Sequence, residues 1–195
     1  MTMTSRPLRQ TIRQQRKSLP PHETAACAEQ LAQNARKHPA VLRSHRIAAY
    51  LASDGEIDPL PLLESLWSSG KQVYLPILVP FSPQKLWFAR FNRNDMLAYN
   101  RFGIPEPVKR DLIKPCALDL VFTPLVAFDA AGHRIGMGGG FYDRTFAFLH
   151  QRQHWHKPRL VGLAYEFQKQ ACIKPNCWDV PLDAIATETQ VYTGL

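Results

Sequence analysis

Three short apolar runs do most to limit how this chain folds. They are RIAAYLA (residues 46–52), LDLVFTPLVAF (118–128) and RLVGLAY (159–165). None approaches the roughly 20 apolar residues that a membrane-spanning helix needs, and the longest is interrupted by Asp119 and Pro124. Runs of this kind suit strands covered on both faces. KQVYLPIL (71–78) reads as a further strand, KLWFARF (85–91) as a third type with polar–apolar alternation, and DAIATET (183–189) as a short last one. Between them lie helical segments: 5–19 with Ser5 as a cap and Pro7 in its first turn, an Ala-rich stretch over 23–37 that stops near His38-Pro39, 59–69 opened by Asp58-Pro59 and closed by Gly70, and about 142–151. RFGIPEPVK (101–109) reads as an extended loop. Strands alternating with helices predict an α/β fold with a mainly parallel central sheet and helices on both faces. The 195 residues show no repeat and no composition break, so a single domain over 1–195 is expected.

The charge is unevenly placed. Nine of the 24 Lys and Arg, but only two of the 16 acids, fall in residues 1–46. At about 100° per residue, Leu8, Ile12 and Leu19 share one stripe of the first helix and Arg6, Arg9, Arg13 and Arg16 a neighbouring one. This basic helix is therefore expected to dock by one edge near the active-site cleft and to offer a row of guanidinium groups along the other. A polyanionic small molecule or a nucleic acid suits such a row. The basic start is followed by no apolar run, so it does not read as a secretion signal. Cys27, Cys116, Cys172 and Cys177 lack the paired spacing of a zinc site and read as reduced thiols of a cytoplasmic protein.

Chemistry concentrates in GMGGGFYDR (136–144). Gly136, Gly138, Gly139 and Gly140 allow the backbone to turn and aim several N–H groups at one anion, and a helix starting after them adds its dipole. The stretch is neither a Walker loop nor a dinucleotide fingerprint, and glycine richness alone also fits a plain turn. Asp143, in the first helical turn, suits either the helix dipole or a Mg²⁺ ion beside phosphate oxygens. Arg144 suits a phosphate or a surface acid. Phe141 and Tyr142 suit the core or a flat ligand at the rim.

Residues 133–144, HRIGMGGGFYDR, resemble the signature of the 5-formyltetrahydrofolate cyclo-ligase family, also called methenyltetrahydrofolate synthetase. The resemblance extends over nearly the whole chain, through SRPLRQTIRQQRKSL, AYLASDGEID, VYLPIL, RFGIPEP, FTPLVAFD, VGLAYEFQ and VPLDAIATE in the family's order. It implies an ATP- and Mg²⁺-dependent closure of 5-formyltetrahydrofolate to 5,10-methenyltetrahydrofolate, with release of ADP and phosphate. ATP would be held by Arg6, Arg9, Arg134, Ile135, Gly136, Met137, Gly138, Gly139, Gly140, Phe141 and Tyr142. The family's usual lysine four residues before Arg9 is Ser5 here, with Arg6 beside it. Glu56, Phe102 and Tyr142 would bind the folate, Asp143 and Asp183 the metal, and Arg9, Tyr142 and Arg144 would act in catalysis. Asp58 reads as a helix cap. The implied protein is a monomer with small-molecule substrates, no nucleic acid and no membrane. Two other readings compete: a nucleic-acid-binding module using the Arg stripe, and a sugar-phosphate-isomerase-like enzyme on a similar scaffold.

Overall fold

The structure, a computed structural model, describes residues 5–151 and 157–193. The chain opens with helices α1 (Ser5–Ser18), α2 (Pro21–Ala35) and α3 (Pro39–Arg43). The expected cap, the Ser5 side chain, lies outside the described residues. Strand β1 (Arg46–Ala48), helix α4 (Leu60–Ser68) and strands β2 (Gln72–Leu78) and β3 (Leu86–Arg90) follow. Next come β4 (Leu97–Tyr99), β5 (Pro105–Pro107), β6 (Leu112–Ile113), β7 (Leu120–Pro124), β8 (Ala127–Phe128) and β9 (Arg134–Ile135). Helix α5 (Phe141–Phe146), a 3-10 turn (Ala147–Gln151), β10 (Arg159–Leu163), β11 (Ala184–Ala186) and β12 (Val191–Thr193) complete the fold.

The central sheet has eight strands in the order β12-β11-β10-β7-β1-β2-β3-β6. From β11 to β2 every pairing is parallel, while β12 and β3 run antiparallel at the two sides. The expected α/β architecture is therefore the observed one. Both faces are covered, as the continuous apolar runs require. Leu120 and Phe122 of β7 join α2 and α4 through Leu31, Leu62 and Leu66 on one face. Val121 of the same strand meets Phe146 and Leu149 on the other, as the two-residue strand period dictates. Pro59 rather than Asp58 holds the cap position of α4, and the Asp58 carboxylate accepts the Leu60 N–H at 2.9 Å from one residue further out.

Three parts differ from expectation. RFGIPEPVK is not a plain loop, because β5 pairs with β4 as a separate two-stranded ribbon. LDLVFTPLVAF is not one strand, because it breaks after Pro124 and β8 leaves the sheet to pair with β9. The helix expected to reach residue 151 gives way to the 3-10 turn after Phe146. Among the described residues, no helix is long and apolar enough to cross a membrane.

These departures shape the cleft. Helix α1 packs Leu8 and Ile12 against Val126, Ala127 and Ile173. It therefore sits where β7 has ended, beside the carboxyl ends of the parallel strands. In open α/β sheets this is where ligands bind.

Candidate active site

A cleft of about 1190 Å³ opens at the carboxyl ends of β1, β2 and β7. Its walls hold most of the residues singled out from sequence: Arg9, Glu56, Phe102, Arg134, Ile135, Met137, Phe141, Tyr142, Asp143 and the glycines at 136 and 138–140. They arrive from four separate places in the chain, namely α1, the loop after β1, the tip of the β4–β5 ribbon, and β9 with the start of α5.

The glycine loop forms one wall. Gly138 has φ +101° and Gly140, the cap residue just before α5, has φ +63°. Both values lie in the region that side chains disfavour, so glycine is required there. Arg9 donates its Nε to the Gly136 carbonyl at 2.7 Å, which fixes α1 to the loop. Among the described residues, no backbone N–H from residues 136–140 donates to another protein group. Such unpaired donors ahead of a helix form a cradle for an anion.

Asp143 follows one turn into α5. Its Oδ1 accepts Arg134 Nη2 at 2.6 Å and the Val180 N–H at 3.2 Å. Oδ2 takes no hydrogen bond from the described residues, which leaves an oxygen available to a cation. Arg134 also donates to the Val180 carbonyl. Among the described residues there is no cluster of three or more His, Cys, Asp or Glu able to cage a metal. The donor set thus suits Mg²⁺, which takes one or two carboxylates with phosphate oxygens and water.

The opposite wall carries a half-buried carboxylate, phenols and an exposed ring. Ser53 donates its N–H and hydroxyl to Glu56 Oε2 at 3.1 and 3.2 Å, and no described residue donates to Oε1. Burial raises the Glu56 carboxyl above the usual range, against the lowering pull of Ser53 and Arg16. Burial and the charge of Glu56 likewise push the Tyr142 phenol well above its ordinary value, so it keeps its proton. Tyr50, buried and donating to the Ile57 carbonyl at 2.9 Å, is raised for the same reasons. Phe102 is 55% exposed rather than a core residue. It stands at the ribbon tip, edge-on to Phe141 with centroids 6.0 Å apart.

Three expected site residues fall elsewhere. Arg6 is exposed and outside the cleft wall. Arg144, expected to be catalytic, faces away from the cleft: its guanidinium donates to the Gln84 carbonyl at 3.0 Å and to the Gly139 carbonyl, and covers the Phe141 ring. It braces the loop from behind. Asp183 does not join Asp143. Its carboxylate accepts the Leu160 N–H and Arg159 Nη1, each at 2.7 Å, at the amino end of β10, where the cleft is not. The reason is topological: Asp183 stands just before β11, which runs parallel to β10.

The first helix also departs from the picture of an open guanidinium row. Arg16 is buried at 2% exposure. Arg13, Arg16 and Lys17 all converge on Asp54. Arg16 is thereby removed from the row, and Arg13 and Lys17, though still exposed, have their charge offset by Asp54.

Two cleft-shaping residues were not apparent in the sequence. Asp54 is one. The other is Glu106, a 3% exposed carboxylate that accepts the Leu78 N–H and Asn100 Nδ2, each at 2.8 Å, and Arg110 Nη1 at 3.0 Å. Asn100 in turn accepts the Phe102 and Ile104 N–H groups at 2.8 and 3.1 Å. Glu106 therefore ties the Phe102 turn to the end of β2. The signal for it was an acid between two prolines in a strand-like segment.

The chain is similar to known proteins over nearly its whole length. The chain is 43% identical over 183 residues to the 5-formyltetrahydrofolate cyclo-ligase of Escherichia coli strain K12, covering 93% of this chain and 98% of the relative. It is 41% identical over 182 residues to the Haemophilus influenzae protein of the same name, covering 89% and 94%. The NMR structure of Aquifex aeolicus 5,10-methenyltetrahydrofolate synthetase superposes with a TM-score of 0.82 at 30% identity, over 98% of this chain and 93% of that one. The profile of the 5-formyltetrahydrofolate cyclo-ligase family matches residues 2–188, and the chain belongs to that family.

Proposed function

We propose that the protein closes 5-formyltetrahydrofolate to 5,10-methenyltetrahydrofolate at the expense of ATP. The observation that carries this is one cleft in which the N–H groups of residues 136–140 and the carboxylate of Asp143 face a wall holding Glu56 and Phe102. The family membership supports the same reading.

The chemistry explains why both halves are needed. A formyl amide is a poor electrophile, and its oxygen is a poor leaving group. The formyl oxygen attacks the γ-phosphorus, ADP departs with the electrons of the broken P–O bond, and the carbon becomes electrophilic. N10 adds to that carbon and gives up its proton. The C–O bond then breaks toward phosphate, leaving the N5–C–N10 amidinium of the product. In such transfers a protein supplies positioning and charge neutralisation.

In this reading the N–H groups of residues 136–140 and Arg9 hold the phosphates, with Arg134 beside them. Asp143 is the residue that would hold Mg²⁺, and the ion supplies charge neutralisation on the phosphates when bound. Glu56 accepts paired N–H groups from the pterin, and Phe102 and Tyr142 enclose its ring. Tyr142, kept protonated, is an O–H donor beside the substrate. Arg144 serves as a brace for the Gly139 carbonyl. The protein acts as a cytoplasmic monomer on small molecules, without a nucleic-acid partner.

Isotope transfer tests the route. With ¹⁸O in the formyl group, the label is expected in the phosphate released, one atom per ring closed. Label retained in water would exclude phosphorylation of the formyl oxygen.

A further inference from the structure

We propose that Asp54 is a positioning residue for both halves of the cleft: a charged clasp that fixes Arg9, on the phosphate side, relative to Glu56, on the pterin side. This rests on the function proposed above.

Asp54 does not line the cleft. Its carboxylate accepts Arg13 Nε at 2.5 Å and Arg13 Nη2 at 3.1 Å, Arg16 Nη2 at 3.2 Å, and Lys17 Nζ at 2.7 Å. Three cations from two successive turns of α1 thus meet on one side chain, and they hold it far below the usual carboxylate range. Arg16 is the inner member. It is 2% exposed, and its Nη1 donates to the Leu125 carbonyl at 3.3 Å, just past β7. The clasp therefore anchors helix, loop and sheet together.

Both functional side chains hang from this anchor. Arg9 lies seven residues before Arg16, which puts the two on the same helix face about 10 Å apart along the axis. Its Nε reaches the Gly136 carbonyl. Glu56 lies two residues after Asp54, and Ser53, one residue before Asp54, binds its carboxylate. One rigid helix thus meets the glycine loop at one end and the Glu56 loop at the other.

The backbone supports the assignment. Asp54 has φ +51° and Gly55 φ +73°. A side chain at Gly55 would meet Arg16 Cβ at 3.2 Å and the Arg16 carbonyl carbon at 3.3 Å, so the loop abuts the helix. Aspartate is one of the few side chains this region tolerates, which suits Asp54 to a tight turn packed against the helix. A carboxylate serving only to neutralise a basic surface needs neither this turn nor the contact with a buried guanidinium.

The test uses steady-state ring closure with Asp54→Asn and Arg13→Gln, alongside thermal melts. Asparagine tolerates the left-handed turn. Arg13 is a half-exposed partner, so its variant folds even where loss of the Asp54 charge strands Arg16. Both variants are expected to lower kcat about tenfold and to raise KM several-fold for ATP and folate alike, a magnitude that follows from sub-ångström misplacement. Combined with Arg9→Ala, the Asp54→Asn effect on ATP is expected to shrink to less than twofold. Folded variants with kcat and both KM values within twofold of wild type would overturn the proposal. So would an Asp54→Asn effect that multiplies in full with Arg9→Ala. A wild-type protein that closes no ring would overturn the proposed function, and with it this role.

Discussion

In the proposed reaction Glu56 and Asp143 serve different ligands, so their variants are expected to separate folate from ATP. Glu56→Ala removes an acceptor for two pterin N–H groups. A hydrogen bond to a charged group contributes about 1.5–3 kcal/mol, so folate affinity is expected to fall roughly 10- to 100-fold with ATP affinity unchanged. Calorimetric titration of each ligand checks this, and a loss of ATP affinity would reverse the placement of the two ligands. Asp143→Ala is expected to lower kcat on the order of 100-fold and to change the Mg²⁺ dependence. Glu56 also sets a pH limit. Its carboxyl is raised by burial, so the ionised acceptor is lost as pH falls through a value above the ordinary glutamate pKa of about 4.3. Folate KM should therefore rise on the acid side earlier than for an unperturbed glutamate.

Legibility from sequence was uneven at the scale of elements. The glycine loop was readable because its geometry is local: positive φ at Gly138 and Gly140 needs glycine whatever surrounds it. Gly140→Ala tests this. A β-carbon there would lie 2.6 Å from Arg144 Nη1, and the left-handed turn costs about 1–2 kcal/mol. The variant is expected to lose that much stability and to bind ATP more weakly, by chemical denaturation and titration respectively. The buried runs of β7 and β10 were equally clear, whereas RIAAYLA, expected as a strand over 46–52, forms one only over Arg46–Ala48. The two- and three-residue strands β4, β6, β8, β9 and β12 were not, since they are too short to show a period. Asp54 depends on cations of α1 about 40 residues away, Glu106 in part on the Leu78 N–H 28 residues away, and Asp183 on the Leu160 N–H 23 residues away and on sheet direction.

Across the whole molecule, acidic side chains hold the two ends of the sheet. At the carboxyl end Asp54 fixes the cleft. At the amino end Asp119 accepts the His45 and Arg46 N–H groups at 3.1 and 2.8 Å and Lys157 Nζ at 2.8 Å, which joins the starts of β1, β7 and β10. These partners outweigh burial and lower its pKa to about 2. A depressed carboxyl stabilises the fold above its unfolded value of about 3.9, and the contribution disappears as pH falls through the folded value. Asp119→Asn should accordingly flatten the acid limb of the stability curve between pH 4 and 2 by about 2 kcal/mol, measured by urea unfolding. A cleft that serves both ATP and folate forms product only when both ligands and the metal are supplied. The most direct measurement follows the ultraviolet absorbance of the methenyl product with 5-formyltetrahydrofolate, Mg²⁺ and ATP, each omitted in turn. A rise that requires all three is the predicted result. No rise from folded protein, or a rise without ATP, would contradict it.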